Sequence, residues 1–472
     1  MASRRRGVSS ARWSRRRVLS HGALGALAAG CHTVGPRVLR LPAACPALTT
    51  AEREVMTLAS CKSDFALGVM AGELTHEGVM CWTRWTTQRA EISLAIRVMA
   101  IDGDQPRVVY EREVRPDEAG FVHHAVAGLR ANTWHRYVFV YVRDGRAIAR
   151  GPAGRFRTAP SPDSRDTVTF GGSSCTSSEF GGEFLALRYA ALCNELDFFV
   201  FSGDHVYADE AQTAEQYRAV YQETFARIGL RALHESTAMI VAWDDHEVSN
   251  DWDGETVDPA RLQAARRAFF EHHPWEGGWQ QPRPLYQRYS WGKTLDIFVL
   301  DSRGERRPST RLTPQAEYLS PAQCDWLIEG LARSQATWKF VVNTVPITRF
   351  GGIIALAEAD RWQGYPAQRE RVLAACENVK NVWWLSGDFH LGCVAKVERE
   401  GPHARMREVL MGPGGQLPSP LASLLYPPQY EFATSQTNWV RFVADPHRAV
   451  LTLEMINEEG RTLFAQRYPA QL

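Results

Sequence analysis

Five short apolar runs in this chain each end on side chains of the kinds that bind metal ions. Cys175 follows the first and Asp204 and Tyr207 follow the second. Asp244, Asp245, His246 and Asn250 follow the third, Asp301 and Arg303 the fourth, and Asp388 and His390 the last. Taken singly, a polar residue at a strand end is more often a helix cap or turn former. Five such ends, all bearing ligand-type groups, are hard to explain as caps. Carboxylate, amide, imidazole, phenol and thiol together describe a site for more than one cation, with Asp204 a candidate bridge. Phenolate and thiolate favour trivalent iron, whereas an all-oxygen position favours calcium, magnesium or manganese.

Such a site needs a sheet whose strand ends lie side by side. The run Phe198-Phe199-Val200-Phe201-Ser202 is too short for a capped helix and reads as a strand buried on both faces. Gly203 allows a tight turn that delivers Asp204 and Tyr207 beyond the strand end, where open α/β sheets bind ligands. Val168–Phe170, Met239–Trp243, Ile297–Leu300, Phe340–Asn343 and Val382–Leu385 read as further strands. Leu185, Tyr189, Leu192 and Leu196 fall at helical spacing and form one apolar stripe. Ser320-Pro321-Ala322-Gln323 is a capping box that opens another helix. Strands alternating with helices from residue 166 to 472 predict an α/β domain. Upstream, residues 62–158 read as short alternating strands, which predicts a small all-β sandwich of the immunoglobulin or fibronectin type. A Pro/Ser-rich linker, 159–165, separates the two.

The chain has 472 residues and a formal net charge of +1, so no global field recruits nucleic acid, and no nucleic-acid-binding module is evident. Its nine cysteines show no Cys-x-x-Cys spacing, against a zinc knuckle or a thioredoxin-type site. No Gly-rich phosphate loop follows the first strand of the α/β part, which argues against a nucleotide-binding domain. Residues 1–31 combine an arginine cluster, a mild apolar run and small residues, the pattern of an export signal. The arginines before Val18 and Leu19 resemble a twin-arginine signal, so the expected destination is periplasmic, cell-surface or extracellular. Leu27-Ala28-Ala29-Gly30-Cys31 resembles a lipoprotein cleavage site, with Ala28 where Leu is usual, and makes Cys31 a candidate for a lipid anchor. Residues 32–61 read as a variable segment, and no later run is long enough for a transmembrane helix.

Several motifs resemble those of the PhoD-type alkaline phosphatases, within the calcineurin-like metallophosphoesterase superfamily. They are Ser174-Cys175, Gly203-Asp204-x-x-Tyr207, Trp243-Asp244-Asp245-His246-Glu247-Val248-x-Asn250 and Gly387-Asp388-x-His390. Leu300-Asp301-x-Arg303 and Gln363-Gly364-Tyr365-Pro366-Ala367-x-Arg369 match lesser motifs, and Phe65–Val69 with Trp82-Thr83-Arg84 resembles the opening of the family's N-terminal domain. The resemblance implies a four-layer αββα sandwich and a metal-dependent hydrolase of phosphate monoesters or diesters. It implies ferric iron (Fe3+) held by Cys175, Asp204 and Tyr207 with Asp388 and His390 nearby, and calcium (Ca2+), or another divalent ion such as Mn2+ or Mg2+, on Asp204, Asp245 or Asp244, Asn250 and Asp388. His246 falls where the superfamily places a histidine that protonates the leaving oxygen or holds the phosphate. Arg303 is expected to brace a substrate oxyanion or an acidic ligand, or else to form a structural salt bridge. The alternatives are a phospholipase D or general phosphodiesterase of the same family, acting on phospholipids, and a cell-surface binding protein that has lost activity.

Overall fold

The apolar run ahead of Gly203 is a strand, Phe198–Ser202, with every residue buried. It lies parallel between Val168–Ser173 and Ala238–Ala242. Because side chains alternate across a sheet, its two faces feed different cores. Phe198 and Val200 join a core lying between two sheets. Phe199 and Phe201 point the other way, into a core roofed by helices. The strand is apolar from Phe198 to Phe201 because neither face meets water.

The structure is a computed structural model that describes residues 54–87, 91–101, 107–180, 182–280, 283–352, 354 and 359–471. The expected export signal at 1–31, Cys31 and most of the 32–61 segment lie outside the described residues. Among the described residues a nine-stranded sheet runs in the order Thr462–Pro469, Val450–Asn457, Asn438–Asp445, Val168–Ser173, Phe198–Ser202, Ala238–Ala242, Val69–Gly72, Gly78–Arg84 and Phe121–Ala127. A seven-stranded sheet runs in the order Gln287–Trp291, Leu295–Val299, Trp338–Thr344, Val382–Ser386, Arg407–Leu410, Gly392–Lys396 and Tyr430–Thr434. The two face each other across a shared core, in which the rings of Phe170 and Phe340 meet at 5.0 Å.

Helices cover the outer faces. Over the nine-stranded sheet lie α1 (Leu185–Ala191), α2 (Ala214–Phe225), α3 (Ile228–Ser236) and α4 (Pro259–His272). Over the seven-stranded sheet lie α5 (Pro321–Arg333) and α6 (Pro366–Cys376). Their starts follow capping chemistry. Thr213 and Gln216 form a reciprocal capping box on α2, and Asp258 accepts the Arg261 N–H ahead of Pro259 on α4. Ser320 accepts the Gln323 N–H as the sequence predicts, but the Gln323 side chain completes no box. It turns instead to the N–H and carbonyl of Asp301 and to Glu305.

Two expectations change. The stripe Leu185, Tyr189, Leu192 and Leu196 does not form one buried face: α1 has only seven residues and buries Ala186, Leu187 and Ala190, while Leu185 and Leu192 are exposed and Leu196 is buried beyond its end. The N-terminal strands do form two facing layers, and five of them make a sheet in the order Ala59–Ser60, Arg146–Arg157, Trp134–Arg143, Ser93–Ala100 and Arg107–Val114. The opposing layer is not separate, however. Its strands Val69–Gly72, Gly78–Arg84 and Phe121–Ala127 continue the nine-stranded sheet, joined to Ala238–Ala242 through the pair Gly72 and Met239. Gly72 permits that approach, since a Cβ there would stand 2.5 Å from Pro274. Among the described residues no helix is long and apolar enough to cross a membrane.

Where α2, α3 and α4 meet, His234, His272 and His273 are wholly buried. Burial pushes all three well below the ordinary imidazole range, His273 to about 3. The folded chain holds them neutral, while the unfolded chain takes up protons below about pH 6.5. Their contribution is thus fully present above that pH and is lost as pH falls towards the folded values, at up to about 1.4 kcal/mol per histidine per pH unit. Urea unfolding in excess chelator, which keeps metal release out of the measurement, gives the slope of stability against pH between pH 7 and pH 5, to which each of these histidines contributes a fall towards acid. His272→Phe is expected to flatten that slope by about one proton.

Candidate metal centre

The ligand-type residues sit on strained turns. Cys175, Asp204, Asp388 and His390 all have left-handed backbones, with φ of 58°, 56°, 62° and 51°. That region is uncommon for residues with a side chain, and such strain gathers at functional sites. Hydrogen bonds between neighbouring turns hold it in place. The N–H of Cys175 donates to the Gly203 carbonyl at 3.2 Å, that of Thr176 to Asp204 at 2.9 Å, and that of Gly387 to Thr344 at 2.6 Å. The turns approach so closely that a Cβ on Gly203 would stand 2.6 Å from the Asp244 Cβ, and one on Gly387 would stand 2.5 Å from Ser174 Oγ.

Three groups of ligand atoms result, each with all members within 4.8 Å of one another: Cys175, Asp204 and His390; Asp204, Asp245 and His246; and Asp244, Asp245 and Asp388. Asp204 links the first pair of groups and Asp245 the second pair. Cys175 Sγ lies 3.3 Å from Asp204 Oδ2. Tyr207 Oη lies 3.3 Å from the same oxygen and 2.7 Å from His390 Nε2. Eight of the sequence-derived site residues therefore meet at one edge, together with the buried side chain of Arg303.

The residues fit bound cations. Asp204 Oδ1 and Asp244 Oδ2 are buried and accept no hydrogen bond among the described residues. Burial pushes Asp204 well above the ordinary carboxylate range, with Asp244, Asp245 and Glu247 adding to it against His246. Burial raises Asp388 as well, and Asp244 and Asp245 add repulsion. Burial and Asp204 together hold the Cys175 thiol and the Tyr207 phenol far from ionisation. Cations would reverse each of these penalties, because they stabilise the anionic forms that bind them.

Arg303 forms ion pairs with acidic side chains at the site. Its side chain is wholly buried, with Nε 2.7 Å from Asp244 Oδ1 and Nη1 2.8 Å from Asp360 Oδ2. Its Nη2 stands 3.6 Å from Asp388 and 3.7 Å from Asp245, beyond hydrogen-bond distance of either. Asp244 also accepts from Thr344 Oγ1 at 3.1 Å, so one of its oxygens is committed to bracing. Asp301 is a turn former, accepting from Trp243 Nε1 and the Gly304 N–H. Asn250 is exposed: its amide nitrogen donates to Asp251 at 2.8 Å, and its backbone N–H donates to Asp209, the partner of His246, at 2.6 Å.

His246 stacks on Tyr207 at 4.0 Å, and its Nδ1 lies 2.9 Å from both Asp209 oxygens. Burial opposes its positive charge, but Asp204 and Asp209 outweigh that and bring it up to about 10. Asp209 was not legible as a site residue, because it lies in a turn with no periodic signal. Glu247 was legible only as a letter in the Asp-Asp-His-Glu block. Its buried carboxylate accepts the backbone N–H groups of Asp244 at 2.7 Å, His205 at 2.5 Å and Asp204 at 3.3 Å, tying two ligand turns together. Asp360, which pairs Arg303 with Arg306, carried no sequence signal at all.

Helix-covered mixed sheets with carboxylate, thiol, phenol and imidazole ligands gathered at one edge define an α/β metalloprotein. The chain belongs to the PhoD-like phosphatase family: residues 170–416 match the PhoD-like phosphatase domain and residues 50–160 its N-terminal domain. Alkaline phosphatase D of Bacillus subtilis (strain 168) is 27% identical over 381 residues, which cover 69% of this chain and 64% of that protein. The chain thus spans less than two-thirds of the length of that relative. Among solved structures, PhoD superposes with a TM-score of 0.73 at 21% identity, covering 87% of this chain and 93% of that one. Purple acid phosphatase PPD1 from yellow lupin (Lupinus luteus) seeds superposes with a TM-score of 0.61 at 12% identity, covering 85% and 73%. At those identities the likeness is one of fold.

Gly203 has φ of 83°, so Gly203→Ala combines about 1–2 kcal/mol of backbone strain with the Asp244 clash. The expected outcome is a lower melting temperature and less than half the wild-type metal content after purification. Wild-type values for both would mean that the turn tolerates displacement.

Proposed function

We propose that the chain is a metal-dependent phosphoesterase that hydrolyses phosphate monoesters, diesters or both. The observation that carries this reading is the sharing of Asp204 and Asp245 between three adjoining groups of ligand atoms at one sheet edge. The fit of thiol and phenol donors supports ferric iron at Cys175, Asp204, Tyr207 and His390, and the carboxylate-rich neighbour supports calcium or another divalent ion at Asp245 and Asp388. When bound, such cations supply Lewis acidity, neutralising the ester's charge and making water acidic enough to attack phosphorus.

The chain's own residues then do the placing. Asp204 and Asp245 fix the spacing of the charges that a phosphate must meet. Glu247 keeps the Asp204 and Asp244 turns in register through their N–H groups. With Nδ1 committed to Asp209, His246 is left with Nε2 to hold a phosphate oxygen or give its proton to the departing alkoxide. Arg303 offsets part of the carboxylate charge and favours the ionised form of Asp244 against its burial. In-line displacement at phosphorus asks for this kind of placement and little covalent chemistry from protein groups. Export by the twin-arginine route belongs to the same reading, supported by Arg15–Leu19. A site assembled from buried turns is compatible with a chain that folds and takes up metal before it leaves the cell.

Asp204→Asn is expected to abolish hydrolysis of both p-nitrophenyl phosphate and bis-p-nitrophenyl phosphate while the chain stays folded. Activity at the wild-type level would remove the shared-ligand role. Cys175→Ala is expected to lose a visible thiolate-to-iron charge-transfer band, and survival of the colour would remove Cys175 or the iron.

A further inference from the structure

On the helix-covered side of the nine-stranded sheet, directly behind the metal centre, three buried imidazoles stand in a row. His205 follows Asp204, His234 lies in the last turn of α3, and His273 caps the end of α4. His205 Nδ1 lies 3.0 Å from His273 Nε2, and His205 Nε2 lies 3.3 Å from His234 Nε2. The other nitrogen of His273, Nδ1, is 2.7 Å from the Phe269 carbonyl. A carbonyl only accepts, so that nitrogen carries a proton. The rings are buried and bond to one another and to a carbonyl, with no acid among those partners, so all three are neutral. His273 Nε2 is then an acceptor and His205 Nδ1 donates to it, which makes His205 Nε2 an acceptor for the proton on His234 Nε2. The row ends at His234 Nδ1, which no donor reaches among the described residues. Each proton has one position, so each ring has one orientation.

That orientation matters because of what the backbone of His205 holds. Its N–H donates to Glu247, which also accepts from Asp244, and its carbonyl accepts from Thr176 Oγ1 at 2.9 Å, one residue from Cys175. A single residue thus joins the turns that carry Cys175, Asp204 and Asp244-Asp245. The stack of its ring on Phe201 at 4.0 Å and the two imidazole contacts fasten that junction to α3 and α4.

We propose that His273 and His234 are positioning residues that act through His205: the hydrogen-bonded row sets the spacing of the three ligand turns and thereby the affinity of the centre for metal. The inference rests on the reading of that site as a metal centre. A row that merely fills space would leave metal binding untouched when its hydrogen bonds are removed.

The test compares the full-length wild type with His273→Leu, which removes the acceptor for His205 Nδ1, and His273→Gln, whose Oε1 restores one. Each protein is loaded with iron and calcium and dialysed against graded chelator, and retained metal is measured by mass spectrometry. Melting temperature in excess chelator and kcat and KM on bis-p-nitrophenyl phosphate are read alongside. His273→Leu is expected to retain metal about tenfold more weakly and to lose kcat with little change in KM, and His273→Gln to recover most of both. Metal retention and kcat at wild-type levels in a folded His273→Leu protein would overturn the proposal, as would a His273→Gln protein no better than His273→Leu at equal melting temperature. Should His273→Leu fail to fold, His234→Leu against His234→Gln, which keeps the donor to His205, decides the matter by the same readouts. A wild-type chain that retains no metal would overturn the reading of the site itself, and this inference with it.

Discussion

Four aspartates, Asp204, Asp244, Asp245 and Asp388, are packed into one corner of this molecule, and water is largely excluded from their carboxylates. Like charges at such separations cannot all remain ionised without countercharge. Arg303 supplies one positive charge, spent first on Asp244. Burial and the net repulsion of the rest are a standing cost, which the surrounding fold must bear or bound cations must relieve. Metal binding and folding are therefore coupled here. Asp204, Asp388, Cys175 and Tyr207 are difficult to ionise in the bare protein and would become stable anions with cations bound, a gain that would stabilise the folded state.

The scaffold is built to bear the cost. Left-handed turns carrying side chains persist only where neighbours over-determine them. Here the turns bond to one another through Cys175, Thr176, Gly203 and Gly387, and Glu247 clasps two of them by their N–H groups. Below the turns the strands are locked between two cores. Phe198 and Val200 pack towards the opposing sheet, and Phe199 and Phe201 pack towards the helices. A turn set on such a strand can be displaced only by disturbing both layers. Rigid support of this sort is what keeps several ligands within a few ångströms when their positions in the chain are far apart.

Much of this could be read from residue types alone. The strand before Gly203 was legible because four consecutive apolar residues, Phe198 to Phe201, followed by Ser202 and a glycine leave little room for another reading. The convergence of Cys175, Asp204, Tyr207, Asp245, Asp388 and His390 was legible because each follows such a run. The face of α1 differs from the stripe that Leu185 and Leu192 suggest, because the helix turns Ala186, Leu187 and Ala190 to the core and ends before Leu192. Asp209, Glu247 and Asp360 were missed for a common reason: they act on backbone groups and on other side chains at distant positions, and no local pattern encodes a partner so far along the chain.

The pairing of Gly72 with Met239 has a bearing on how this chain could be taken apart. The N-terminal strands supply the continuation of the nine-stranded sheet at Ala238–Ala242 as well as a neighbouring layer. A fragment starting after residue 160 would leave Ala238–Ala242 as an exposed border, with peptide groups open to a second molecule. Because that strand leads into Asp244 and Asp245, fraying or dimerisation at the border would reach the ligands themselves. The two matched regions of the chain are better regarded as one mechanical body than as an enzyme with a detachable attachment.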